Sequence, residues 1–229
     1  MPKPLKFQFK DGFGESRAIF ITRFEDLPHN SIVYAPTGGF AIVLTRGGSP
    51  LPPILSGQKA NINPKKGLFK SVGRDEESFS VLNCSGGAFT VKAATNFPYA
   101  AVDIDVRRVK YFLRAQGSFR FDPTCASELV AKVSSFLSGD DTSIPVSHFR
   151  GIVEKTLADV MTEVGAKALS KKGLSGAYEN VASINAEVLA KANRTLEGYG
   201  LNLYEISVRV EEEDEVTGKV RDFDLSKFG

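Results

Sequence analysis

The sequence predicts an α+β domain, an antiparallel-rich sheet packed with two to three long helices, and three observations carry that prediction. Apolar and polar residues alternate with period two in segments up to residue 121. Beyond it, two long stretches follow i, i+3, i+4, i+7 spacing. One alternating segment then returns at 201–210. Strands send successive side chains to opposite faces, whereas helices gather every third or fourth residue on one face, so a change of period marks a change of element. With 42% hydrophobic and 24% charged residues among 229, the composition is globular. A chain of this size buries a sizeable core without metals or disulfides. Its 29 basic and 27 acidic residues leave a formal charge of +2. That excludes a globally basic nucleic-acid binder, though not a local basic face.

Taken in order, Leu5, Phe7 and Phe9 alternate with Lys6, Gln8 and Lys10, and Asp11-Gly12 supplies a turn before Ala18-Ile19-Phe20-Ile21. This predicts an N-terminal hairpin. Ser31–Tyr34 and Phe40–Thr45 follow as strands, the second nearly all apolar and so expected to be covered on both faces. Pro50, Pro52 and Pro53 argue against a central strand after the Arg46–Ser49 turn. Ser78–Cys84 and Phe89–Ala93 read as two more strands around Gly86-Gly87.

The cleanest strand signal is Arg107–Phe121. One face carries Val109, Tyr111, Leu113, Ala115, Phe119 and Phe121; the other carries Arg108, Lys110, Phe112, Arg114, Gln116, Ser118 and Arg120. Alternation this long places one face on a core and the other toward water or a partner. Gly117 is expected to mark a bulge or bend.

Asp122-Pro123 is an N-cap and N1 pair for a helix to about Leu137, ended by Ser138-Gly139. A second helix is expected from Ser147 to about Lys171. Its apolar stripe is Phe149, Ile152, Val153, Leu157, Val160, Met161, Val164 and Ala168, and Lys171-Lys172-Gly173 supplies the stop. Glu163 and Lys167 stand in the favourable i, i+4 order. A third helix spans about Ala177–Glu197, with Val181, Ile184, Val188, Ala192, Leu196 and Tyr199 on one stripe, ended by Gly198 and Gly200. The final strand, Leu201–Val210, is read with Tyr204, Ile206, Val208 and Val210 on one face. The acidic run Glu211, Glu212, Glu213, Asp214 and Glu215 then opens a tail with little reason to pack.

Two segments combine into a recognisable pattern. Strands lead into Gln116-Gly117-Ser118-Phe119-Arg120-Phe121-Asp122-Pro123 and a long amphipathic helix. A helix later leads into Tyr199-Gly200-Leu201-Asn202-Leu203-Tyr204-Glu205-Ile206-Ser207-Val208. With Leu27–Tyr34 and Gly39–Leu44 as an opening strand pair, this order resembles the SPFH (band 7) family of stomatins, prohibitins and flotillins, closest to its soluble, virion-core-protein-like branch. The resemblance implies a non-enzymatic α+β domain that self-associates into rings, cages or filaments, often at membranes, as a scaffold or regulator of a partner protein. Unlike the better-known members, this sequence is expected to carry neither a membrane anchor nor a long coiled coil after the domain. The organisation expected is an N-terminal hairpin extension at 1–26, an SPFH-like domain at 27–210 and an acidic, mobile tail at 211–229.

Function is sought in a few constellations. Arg108, Lys110, Arg114 and Arg120 form a basic strand face. Three readings stand for it: a solvated surface, a contact between protomers using the acidic run 211–215, or a site for anionic lipid or nucleic acid. Contact between unlike patches on identical chains is heterologous and builds rings or filaments. Nucleic acid is not expected, because only Phe112 interleaves with the cations. Phe7, Phe9, Phe13, Phe20 and Phe24, with Lys3, Lys6 and Lys10 nearby, suit either shallow membrane insertion or packing of a hairpin on the sheet. No catalytic, cofactor or metal residues are assigned. His29 and His148 have no cysteine or carboxylate at ligand spacing, and the paired glycines belong to no phosphate loop. A Cys125–His148 nucleophilic pair is formally available.

Cys84 and Cys125 are too few for a disulfide framework, so reduced thiols in the cytoplasm are expected. The start lacks the apolar core of a signal peptide. The longest uncharged stretch, Leu27–Thr45, is punctuated by Pro28, Pro36, Gly38 and Gly39, so no membrane-spanning helix is expected.

Overall fold

The computed structural model describes residues 3–10, 13–14, 16–28, 30–45, 48–62, 77–96, 98–102, 108–137, 139–179, 181–213 and 220–222. In chain order the strands are β1 (Lys6–Gln8), β2 (Arg17–Leu27), β3 (Ser31–Tyr34), β4 (Gly39–Leu44), β5 (Lys59–Ile62), β6 (Glu77–Ser85), β7 (Phe89–Ala94), β8 (Tyr99–Val102) and β9 (Arg108–Phe121). Helices α1 (Ala126–Lys132) and α2 (Ser134–Leu137) follow, then β10 (Ser143–Pro145), α3 (Val146–Glu179), α4 (Val181–Leu196), β11 (Leu201–Glu213) and β12 (Val220–Asp222). The protein is α+β, and seven of the eight strand pairs whose register is described are antiparallel. The chain groups into two compact units: Met1–Ala88 with Arg120–Phe149 and Glu197–Leu201, and Phe89–Phe119 with Arg150–Leu196 and Asn202–Gly229.

The first unit holds two sheets, ordered β1-β3-β5 and β10-β2-β6-β4. Val33, Ala35, Ala41, Val43, Ile54, Ile62, Phe79 and Val81 form a buried cluster, with Phe7 and Phe24 packed against it. Each of its valine, isoleucine and phenylalanine side chains contributes about 1.5–3 kcal/mol of burial. Every residue of β4 is buried, as its uninterrupted apolar run requires. Among the described residues, β1 and β2 do not pair with each other as the expected N-terminal hairpin. β1 pairs parallel with β3, while β2 pairs with β6 and β10. Alternation reports the buried face of a strand but not its partner, and β2 is long enough to match most of β6. The boundary drawn at residue 26 therefore falls inside β2. The Asp11-Gly12 turn lies outside the described residues.

Asp122 caps the turn at Pro123–Cys125, its Oδ1 accepting from the Thr124 N–H at 2.8 Å. The helix then breaks at Val133 into α1 and α2. The carbonyls beyond the break are satisfied by Arg23 of β2, whose guanidinium donates to Gly139 O at 2.7 Å, Asp141 O at 2.8 Å and Phe136 O at 3.2 Å. A cation at a helix C-terminus also suits the negative end of the helix. The Asp122 N–H donates to Gly200 O at 3.0 Å, so two segments of the sequence pattern meet through a hydrogen bond.

The second unit is a sheet ordered β12-β11-β9-β7, with β8 also on β9, and the helices α3 and α4. Tyr111, Leu113, Ala115 and Phe119 of β9 are buried, whereas Lys110, Arg114 and Gln116 are exposed, as the alternation requires. Val153, Leu157, Met161 and Val164 of α3 and Ile184, Val188, Ala192 and Leu196 of α4 are buried on the expected stripes. α3 lies close to the sheet at Gly165, where a Cβ would stand 2.6 Å from Tyr99 Oη and 2.8 Å from Leu113 Cδ1. The Tyr99 hydroxyl donates to Thr162 O at 2.6 Å, and its ring stacks on Tyr111 with centroids 5.5 Å apart.

Three expectations in this unit are corrected. α3 does not stop at Gly173 but runs to Glu179, because one interior glycine costs a helix only about 1 kcal/mol and no proline follows to end it. β11 does not keep one inward parity. Leu201 and Leu203 are buried, Tyr204 and Glu205 are both exposed, and Val208 and Val210 are buried. Two consecutive exposed residues indicate a bulge, and it lies against Gly117, where a Cβ would stand 2.4 Å from Glu205 O. Gly117 is thus required by close approach of the neighbouring backbone, not by its own bend. Finally, the tail beyond 210 is partly paired. Glu211, Glu212 and Glu213 continue β11 and oppose Asp222, Arg221 and Val220. Asp214 and Glu215 lie outside the described residues.

Candidate functional site

The candidate site is the solvent-facing side of the sheet β7-β9-β11. The cross-strand register sets Lys92 opposite Gln116 and Ala94 opposite Arg114. Ser207, Arg209 and Glu211 come from β11, past its bulge. Together these residues line a groove of about 410 Å³. The small side chains Ala94 and Ser207 leave the depression, and the long side chains beside them wall it. Arg114 Nε meets Glu211 Oε2 at 2.5 Å. Among the described residues, the side chains of Lys92 and Arg209 have no hydrogen-bond or ion-pair partner. The groove therefore offers Lys92, Arg114 and Arg209 against the single carboxylate of Glu211, with Gln116 and Ser207 as neutral hydrogen-bonding groups.

Of the residues singled out in the sequence, Arg114 and Glu211 are brought together, within one chain. Lys110 and Arg120 are exposed on the same strand, as expected. Arg108 lies on β9 and Glu212 and Glu213 on β11, their side chains outside the described set. The intermolecular pairing of basic face and acidic run thus has a closer alternative: the two patches sit on neighbouring strands. Lys92 and Arg209 were not singled out. The signal was present in the parity of both strands, since each alternates with apolar neighbours, but neither residue stands in a charge run.

The formal nucleophile is not activated. Burial raises the Cys125 thiol above its ordinary value, Asp122, Glu128 and Glu197 add to the rise, and the Thr124 hydrogen bond offsets part of it. Cys125 is the N-cap of α1, a position that favours a thiolate, but burial and the neighbouring carboxylates outweigh it. The His148 ring lies edge-on to Phe136 and Phe149, each 5.1 Å away, in an aromatic cluster. Cys84 is fully buried and its thiol is pushed up by that burial. His29 lies outside the described residues. Among the described residues no three His, Cys, Asp or Glu side chains gather to hold a metal, and no helix is long and apolar enough to cross a membrane.

The N-terminal phenylalanines pack on one another. Phe7 meets Phe24 edge-on at 5.1 Å, and Phe9 lies 4.8 Å from Phe20 and 5.5 Å from Phe13. All are half-buried, which is the packing alternative to membrane insertion.

The edges of this sheet differ. Along β11, α4 supplies two asparagines. Asn193 Nδ2 donates to Leu203 O at 2.7 Å and its Oδ1 accepts from the Leu203 N–H at 2.8 Å, while Asn185 Oδ1 accepts from the Val208 N–H at 2.8 Å. Such cover removes the unpaired groups that make an edge adhesive. Beyond β7 no described strand pairs. The Thr90 carbonyl accepts from Arg150 Nε at 3.2 Å, and the Thr95 N–H donates to Leu113 O at 2.9 Å. In an antiparallel strand one residue's N–H and C=O point the same way and alternate along the chain. The backbone groups of Thr90, Lys92 and Ala94 therefore face outward.

No protein-family model matches this sequence, and no curated protein matches it. The SPFH resemblance rests on the order of its motifs.

Proposed function

We propose that this protein is a non-enzymatic, self-assembling scaffold of SPFH type that regulates a partner protein or sits at a membrane surface, in the cytoplasm. The observation that carries the reading is the outward edge of β7, whose outward backbone groups at Lys92 and Ala94 have no partner among the described residues, on a sheet where Asn193 and Asn185 bond the β11 backbone at Leu203 and Val208. An edge of this kind is a template for a strand from another chain. The strand at the opposite edge, β12, is only three residues long, so β7 of one copy meets β7 of a second, an isologous contact that makes pairs. Larger rings or cages then need a further contact, for which the exposed sides of α3 and α4 are available. The half-buried Cys125, its thiol pushed up, and the aromatic packing of His148 support a role without covalent chemistry.

Sedimentation across a concentration series tests this. A concentration-dependent shift from monomer to dimer is expected, abolished by Thr90→Pro. Proline at an outward-facing position of an edge strand removes no ladder bond, so the monomeric variant keeps its fold.

A further inference from the structure

The groove on β7, β9 and β11 carries more charge than the sheet needs, and the excess has one sign. Lys92 and Arg209 stand in one recess with no counter-ion among the described residues. Arg114 is held by Glu211 through Nε, which leaves the other guanidinium nitrogens as donors. Like charges gathered in one recess repel, and an anion that enters relieves the repulsion. From these observations we infer that the groove is a binding site for the phosphate group of a small, polar phosphomonoester.

Three features select that ligand class. A phosphate oxyanion accepts several charge-assisted hydrogen bonds at once, matching the donors that three strands supply to one groove. The volume of about 410 Å³ exceeds what a bare ion fills and lies in the range of small-molecule sites, roughly 300–1,000 Å³. The lining beyond the cations and Glu211 is Gln116, Ser207 and alanines, with no aromatic ring. It suits a hydroxylated body rather than a stacked base. A lipid surface fits poorly, because none of Leu5, Leu55 and Tyr204, the exposed large apolar residues described, lines the groove. Glu211 gives the site an internal competitor: its carboxylate occupies Arg114, and an arriving phosphate takes that guanidinium from it.

Calorimetric titration of the full chain with glycerol 3-phosphate, inorganic phosphate and glycerol tests the inference. Saturable binding of glycerol 3-phosphate with a Kd of about 1 mM or tighter is expected, weakening as salt rises. Inorganic phosphate is expected to bind more weakly and glycerol not at all. Lys92→Ser and Arg209→Ser each remove a charge-assisted contact and weaken binding about five- to ten-fold. Glu211→Gln frees Arg114 and tightens it several-fold, which no merely structural role of Glu211 produces. Circular dichroism and melting curves establish that each variant is folded. The proposal is overturned if no saturable heat develops, if folded Lys92→Ser and Arg209→Ser chains bind unchanged, or if Glu211→Gln binds no tighter. Binding to phosphatidylserine vesicles without binding to the soluble ester overturns the ligand class. Thr90→Pro is expected to bind normally whatever its oligomeric state, so a failure here is distinguishable from a failure of self-assembly.

Discussion

Arg114 Nε and Glu211 Oε2 lie 2.5 Å apart on neighbouring strands of one sheet. Side chains at the two ends of the sequence pattern, one in a basic face and one in an acidic run, thereby satisfy each other within a single chain. Arg114 is half exposed and Glu211 largely covered, with side-chain exposures of 50% and 18%, so solvent screens the pair and its contribution is about 0.2–1 kcal/mol. Arg114→Glu sets two carboxylates face to face and is expected to lower the urea midpoint. The double variant Arg114→Glu, Glu211→Arg is expected to recover most of the loss. Recovery in a monomeric sample places the pair inside one chain; recovery only on mixing the two single variants assigns it to an interface.

Two glycines meet their neighbours differently, and their alanine variants are expected to rank accordingly. At Gly117 a Cβ would face the backbone oxygen of Glu205 at 2.4 Å; at Gly165 it would face side-chain ends of Tyr99 and Leu113 at 2.6 and 2.8 Å. Side-chain ends yield more readily than a paired strand. Gly117→Ala is expected to cost about 2–3 kcal/mol and Gly165→Ala about 1 kcal/mol, within the range for overpacking. Thermal melts give the order, and a Gly165→Ala variant less stable than Gly117→Ala would contradict the bulge geometry.

Asn193 holds both backbone groups of Leu203. Asn193→Ala leaves a strand donor and acceptor without their partner, at about 1–3 kcal/mol. Hydrogen exchange is expected to accelerate at Leu203 more than at Val208, which keeps Asn185. Equal acceleration at both amides would show that α4 detaches as a whole.

Between α3 and α4, Lys191 pairs with Glu163 at 2.6 Å and with Glu187 at 3.3 Å, and Lys167 with Glu187 at 3.3 Å. Hydrogen bonds from Lys191 and then Lys167 hold the Glu187 carboxyl below the usual carboxylate range; the hydrogen bond that Lys191 donates to Glu163 holds Lys191 above the usual lysine range. A lowered carboxyl contributes stability above its unfolded pKa of about 4.3 and loses it as pH falls through the folded value. A raised lysine contributes below its unfolded pKa of about 10.4 and loses it as pH rises through the folded value. The pairs are solvent-screened and each small. Glu187→Gln is therefore expected to flatten the loss of stability between about pH 5 and pH 3 while leaving the alkaline limb, which Glu163 still supports. Urea midpoints at matched ionic strength give the comparison.

Much of this architecture was legible in local pattern. The alternation at 107–121, the apolar run at 40–45 and the helical stripes each report a buried face, and burial is what those patterns encode. What stayed hidden is pairing between distant segments. Nothing near Leu5 records that its carbonyl accepts from Ile32, and nothing near Ile19 that it opposes Cys84. The bulge at Tyr204–Glu205 was missed for the same reason, since its cause is the backbone of another strand. The candidate groove was half legible. Arg114 stood in a conspicuous basic face, but Lys92 and Arg209 become its neighbours only once three strands are set side by side.

The central claim is that copies of this chain meet along β7. Sedimentation equilibrium of the wild-type chain beside Thr90→Pro, over the same loading range, tests it most directly. A wild-type mass that climbs to twice that of one chain, with a variant that stays at one, is the expected result. Two identical mass profiles from two folded chains would contradict it.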